Sequence, residues 1–134
     1  EDPALIRFED PAIDYDGDGD TTEGLAGEIA TMEEALLVEI QAYAATTAGV
    51  PIVYDAHAYP YFFIDANADG VKDEGDTERY AGTWTPRMLF GAYNYQYVQK
   101  DPGAFAHNGK YILQVLFDSL ENLNPSAVSG MTRP

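Results

Sequence analysis

Apolar positions recur along this chain with two periods. Leu25, Ile29, Met32, Leu36, Ile40 and Tyr43 stand three or four residues apart, the spacing that lines one face of a helix. A helix is predicted from about Gly24 to about Thr46, ended by Gly49-Val50-Pro51. Glu28, Glu33, Glu34 and Glu39 fall on its other faces, and the early glutamates suit its positive N-terminal end. Thr85-Pro86 supplies an N-cap and a first-turn proline, opening a second helix to about Lys100. That helix carries Met88, Leu89, Ala92, Tyr93 and Tyr97 and is stopped by Asp101-Pro102-Gly103. A third runs from about Asn108 to Asn122 with Ile112, Leu113, Leu116, Phe117, Leu120 and Leu123 along it, and Asn124-Pro125 closes it.

The other pattern lies between Val50 and Ile64, where β-branched and aromatic residues predict one or two short extended segments interrupted at Pro60. Residues 1–13 form a proline-punctuated arm with Leu5, Ile6, Phe8 and Ile13 available to pack. Residues 125–134 are small and polar and are expected to be loose. The expectation is one domain over residues 1–134. It is mainly α, with about three packed helices, a short β element and two EF-hand-like calcium loops.

The first of those loops is the stretch Asp14-Tyr15-Asp16-Gly17-Asp18-Gly19-Asp20. At ~5 Å and an effective dielectric of ~20, each neighbouring carboxylate pair costs roughly 3 kcal/mol, so a shared cation is expected. Oxygen ligands at alternate positions with glycine at the sixth are the pattern of a Ca²⁺ loop. Position 12 is Leu25, which has no ligating side chain. Glu23 and Glu28 are the candidates to close the site, and Glu28 is favoured because a loop lengthened by three residues places it in the helix's first turn. The second loop matches at more positions. Asp65, Asn67 and Asp69 take positions 1, 3 and 5, Gly70 takes 6, Val71 offers its carbonyl at 7, Asp73 stands at 9 and Asp76 closes at 12. The loops start 51 residues apart with different flanks, so they are not a duplicated pair.

Charge sharpens this picture. The net charge is −16, and residues 1–40 hold thirteen Asp and Glu against Arg7 alone, whereas residues 80–134 hold three acids and four Lys or Arg. The acidity belongs to the metal-binding front, and nucleic acid and anionic membrane are repelled as partners. No cysteine is present, which excludes disulfides, thiolate zinc sites and CxxCH haem attachment. No apolar run is long enough for membrane insertion. The opening Glu1-Asp2-Pro3 lacks a signal-peptide pattern, as expected of a mature or excised piece. Low-affinity Ca²⁺ loops suit millimolar calcium, so the expected location is extracellular, at the cell surface.

His57 and His107 read first as hydrogen-bonded structural histidines. The sharper alternative makes one or both axial ligands to a haem held by another segment or chain. Asp55 near His57 is too slender a basis for an active site, and no enzyme is expected. Tyr93 and Tyr97, on the helical stripe, are expected to fill the core. Tyr95, off that stripe, is the better interface candidate.

Three stretches together resemble a known family. They are Tyr15-Asp16-Gly17-Asp18-Gly19-Asp20 leading into Ala26-Gly27-Glu28-Ile29, then Ala58-Tyr59-Pro60-Tyr61-Phe62-Phe63, then Ala92-Tyr93-Asn94-Tyr95-Gln96 through Asp101-Pro102-Gly103-Ala104-Phe105-Ala106-His107-Asn108. Over residues 12–124 the chain resembles the cysteine-free C-terminal region of large bacterial extracellular multihaem c-type cytochromes. The resemblance implies a Ca²⁺-bearing domain attached to or docked on a haem-carrying region in extracellular electron transfer. It implies Ca²⁺ at the two loops and haem contact at His57 or His107, with haem supplied by another segment or chain. The alternative is a self-assembling calcium-binding subunit of an extracellular fibre or surface module, whose partners are copies of itself.

Overall fold

A computed structural model describes residues 2–7 and 13–134; Phe8 lies outside the described residues. Among the described residues about half are helical, in four α-helices and shorter helical turns, beside a two-stranded sheet. Helix α1 spans Leu25–Tyr43 and runs on as a π-helical turn, Ala44–Ala48, that stops at Gly49 in the left-handed region, φ +76°. Glycine carries no Cβ to resist that conformation. Strands β1, Ile52–Tyr54, and β2, Phe62–Ile64, pair antiparallel with Val53 opposite Phe63. Helix α2, Pro86–Gln99, starts as expected, its Thr85 side chain accepting from the Met88 N–H at 3.2 Å. A four-residue helical turn α3, Ala104–His107, leads into α4, Gly109–Leu123.

Helices α1, α2 and α4 pack on one another around a single core. The predicted stripe of α1 is buried from Leu25 to Ile40, as are Ile112, Leu113, Leu116, Phe117, Leu120 and Leu123 of α4. Gly91 of α2 lets the helices close up, since a Cβ there would meet Leu123 and Ile40 side chains. The stripe read for α2 is corrected. Its buried residues are Met88, Gly91, Ala92, Tyr95 and Val98, whereas Leu89, Tyr93 and Tyr97 are 50%, 69% and 41% exposed. Tyr95 is the core tyrosine, its ring edge-on to Tyr54 at 4.9 Å, and Tyr93 and Tyr97 face outward. Both faces of α2 carry apolar side chains, so periodicity alone does not say which one turns inward.

The tail also departs from expectation. Pro125–Val128 forms a 3₁₀ turn with Val128 buried, the Thr132 N–H donates to Tyr15 O at 3.1 Å, and Arg133 pairs with Asp118 and Glu121. The C-terminal segment therefore lies against the first acidic loop.

Candidate metal centres

In the first loop each aspartate holds the backbone just ahead of it. Asp14 accepts from the N–H groups of Gly17 and Gly19, at 2.6 and 2.9 Å. Asp16 accepts from Asp18 and Asp18 from Asp20. Asp20 turns aside to the Thr22 N–H and hydroxyl, which hold its carboxyl below the usual range. Gly17 and Gly19 have φ of +81° and +93°.

The second loop repeats this geometry position for position. Asp65 accepts from the Ala68 and Gly70 N–H groups, both at 2.7 Å, and Ala68 and Gly70 have φ of +60° and +79°. In both loops the first aspartate thus closes on the fourth and sixth N–H groups, and those two residues are left-handed. The closing acids correspond too. Asp76 accepts from Ala66, the second position, at 2.8 Å; Glu28 accepts from Tyr15, also the second position, at 2.8 Å and from Asp16 at 3.0 Å. The loops differ in their flanks. The first leads into α1, while the second joins β2 to a segment bridged back onto it, with Ile64 N–H donating to Glu78 O and Phe63 opposite Arg79.

The acids gather differently. Two groups of three in the first loop, Asp14/Asp16/Glu28 and Asp16/Asp18/Glu23, bring carboxylate oxygens within 4.8 Å of one another. Asp16 is 6% exposed, and its Oδ2, like Glu23 Oε1, is buried with no hydrogen-bond partner. Burial, with repulsion from Glu28 and Asp18, raises the Asp16 carboxyl, offset to some extent by the Asp18 N–H and weakly by the nearby Thr31 hydroxyl. Glu23 is pushed to about 7, first by burial and then by Asp16, Glu28, Asp18 and Asp20. Unpartnered buried carboxylate oxygens are costly, and a cation between them removes the cost. The residues present therefore fit a cation bound by oxygens.

Asp65 and Asp76 of the second loop are just as buried, but their oxygens are met by N–H groups. The N–H groups of Ala66 and Asp73 hold the Asp76 carboxyl below its ordinary range. Asn67 Nδ2 donates to Asp69 and Asp73, each at 3.0 Å. Val71 is exposed, and its N–H donates to Asp69. Among the described residues no group of three acids forms at this loop. The loop with the fuller motif is the one satisfied by its own backbone.

Arg7 is the residue that sequence reasoning missed. Its guanidinium donates to the Glu23 carbonyl, to Ile13 O at 2.6 Å and to Glu28 Oε1 at 2.8 Å, tying the arm to the loop. As the sole cation among the first forty residues, it could have been matched to the buried acid.

The histidines do not fit a resident haem. Both are exposed, and no cysteine exists to attach one. The Asp55 carboxylate accepts from the His57 backbone N–H, not its imidazole, and His107 Nε2 faces Asp101 Oδ1 at 3.1 Å.

A cysteine-free, acid-looped chain of this kind has relatives among the C-type polyheme cytochromes. It is 32% identical over 111 residues to C-type polyheme cytochrome OmcC of Geobacter sulfurreducens, and 31% identical over the same length to OmcB of that organism. Each alignment covers 75% of this chain and 14% of the relative, so the chain spans about a seventh of these proteins. No family profile and no solved structure matches it. Among the described residues no helix is long and apolar enough to cross a membrane.

Proposed function

We propose that this chain is a non-catalytic, Ca²⁺-stabilised structural and assembly domain of an extracellular, cell-surface multihaem electron-transfer protein. The observation that carries the reading is the buried, unpartnered Asp16 Oδ2 beside Glu23 Oε1 in a cluster of acids. An all-oxygen, carboxylate-rich donor set is suited to a hard cation, and flexible loops of this geometry suit Ca²⁺. Homology to polyheme cytochromes in a chain with no cysteine to attach haem covalently supports a supporting role beside haem-bearing polypeptide. The ion at the first loop secures the start of α1. In the second loop, turning the Asn67 amide presents its oxygen beside Asp65, Asp69, Asp73, Asp76 and the Val71 carbonyl as a second site.

Haem, in this reading, is supplied by another segment or chain, with exposed His57 or His107 within its reach. The partner surface is the outward face of α2. Leu89, Phe90, Tyr93 and Tyr97 are exposed there, and Leu89 and Tyr93 border a cleft of about 240 Å³ walled by Pro60, Phe62, Tyr80 and Trp84. Aromatic side chains are enriched at interfaces.

Because ion binding selects the folded state, it adds to stability by mass action. Removing calcium with EDTA is expected to lower the melting temperature by many degrees, and added Ca²⁺ to restore it. A melting curve indifferent to EDTA overturns the reading.

A further inference from the structure

We propose that the cation of the first loop is bound by Asp16, Asp18 and Glu23, while Glu28 positions the loop's backbone without binding the ion. The assignment rests on the calcium reading above and concerns which acids carry it. Glu28 is fully buried and its oxygens are already engaged. Oε1 takes the Arg7 guanidinium at 2.8 Å, and Oε2 takes the Tyr15 and Asp16 N–H groups at 2.8 and 3.0 Å. A dication on Glu28 would stand beside that guanidinium and be repelled by it. Asp16 Oδ2 and Glu23 Oε1 have no such partners, and Asp16 is more than nine-tenths buried.

The helix makes room for Glu23. Gly27 lies in the first turn of α1, where glycine is disfavoured relative to alanine. A Cβ at Gly27 would collide with Glu23 Oε2. The Glu23 side chain is thus folded back over the helix start, into the acid cluster, across Gly27, where a larger residue would displace it. Gly27 is a positioning residue for Glu23.

The test is a Ca²⁺ titration of the calcium-stripped chain followed by NMR, with the Gly19 and Gly70 amide signals reporting the two loops separately. Glu23→Gln is expected to weaken binding read at Gly19 by about tenfold or more, with the Gly70 curve unchanged. Glu28→Gln is expected to lower the melting temperature with and without Ca²⁺ while shifting the Gly19 constant less than about threefold. Gly27→Ala is a check that leaves every acid in place. It should weaken binding at Gly19 yet raise the melting temperature of the stripped chain, an outcome that general destabilisation does not produce. Unchanged binding at Gly19 in Glu23→Gln, with loss in Glu28→Gln, overturns the assignment alone. No Ca²⁺ response at either glycine in the parent chain overturns it together with the reading it rests on.

Discussion

Glu33 lies on α1 with Oε1 buried and unpartnered. Burial lifts its carboxyl from 4.5 to about 7, opposed slightly by the nearby Gln99 and reinforced by Glu34. Between those values the folded chain holds a proton that the unfolded chain has released, so stability falls as pH rises through this window. The group's full contribution is present below about pH 4.5 and is lost above about pH 7. Glu33→Gln removes that slope and, after allowance for solvent screening, gains about 1 kcal/mol at pH 8, roughly 4 °C in melting temperature. Parent and variant are compared by thermal melts from pH 4.5 to 8 in EDTA, where Glu23 titrates equally in both and cancels. Parallel pH profiles would refute this. Helical periodicity sets Glu34 opposite the apolar stripe but places Glu33 and Glu39 on its flanks alike; α2, whose Gln99 lies beside Glu33, buries the first of these two.

The elements themselves were largely legible. Thr85-Pro86, Gly49 and Asn124-Pro125 bound helices through local backbone chemistry, which needs no tertiary contact. The face that each helix turns inward is a tertiary matter. On α4 one apolar stripe dominates, and on α1 the three- and four-residue spacing from Leu25 to Ile40 picks out the buried face although Val38 lies outside it, exposed. On α2 apolar residues lie all round, and Tyr95 in place of Tyr93 and Tyr97 enters the core. Tyr95→Ala is therefore expected to cost about 3–4 kcal/mol in urea unfolding, whereas Tyr93→Ala stays within about 0.5 kcal/mol of the parent. Equal losses would mean that α2 is rotated from its present setting. The acidic loops divide in the same way. Alternating carboxylates and position-six glycines marked the loop backbone and its closure by Glu28, while that acid's charged partner, Arg7, lay in the arm, 21 residues away, where loop spacing does not reach.

At the scale of the whole molecule most of the net charge of −16 lies in the first forty residues, and Asp14, Asp16, Asp18, Glu23 and Glu28 gather where the first loop meets α1. Without a cation that cluster repels itself, and the Arg7 guanidinium offsets only the charge of Glu28 directly. Raising salt shortens the Debye length from ~30 Å at 0.01 M to ~3 Å at 1 M. The calcium-stripped chain should gain melting temperature steeply over that range, and the Ca²⁺-loaded chain much less. Differential scanning calorimetry in EDTA and in excess Ca²⁺ measures both slopes, and equal slopes would show that the acid cluster is not the source of strain.

Both ends of the described chain are fastened to the first loop. The arm holds it through Arg7 and through the Leu25 N–H donating to Ile6 O at 2.9 Å, and the tail holds it through Thr132 and Tyr15. That loop, with the Arg133 pairs on α4, would meet a force drawing the two ends apart before the three-helix core does. Its few hydrogen bonds would break in succession, as in unzipping, with the three-helix core still intact. An ion seated there would raise the tension at which those two ends come free.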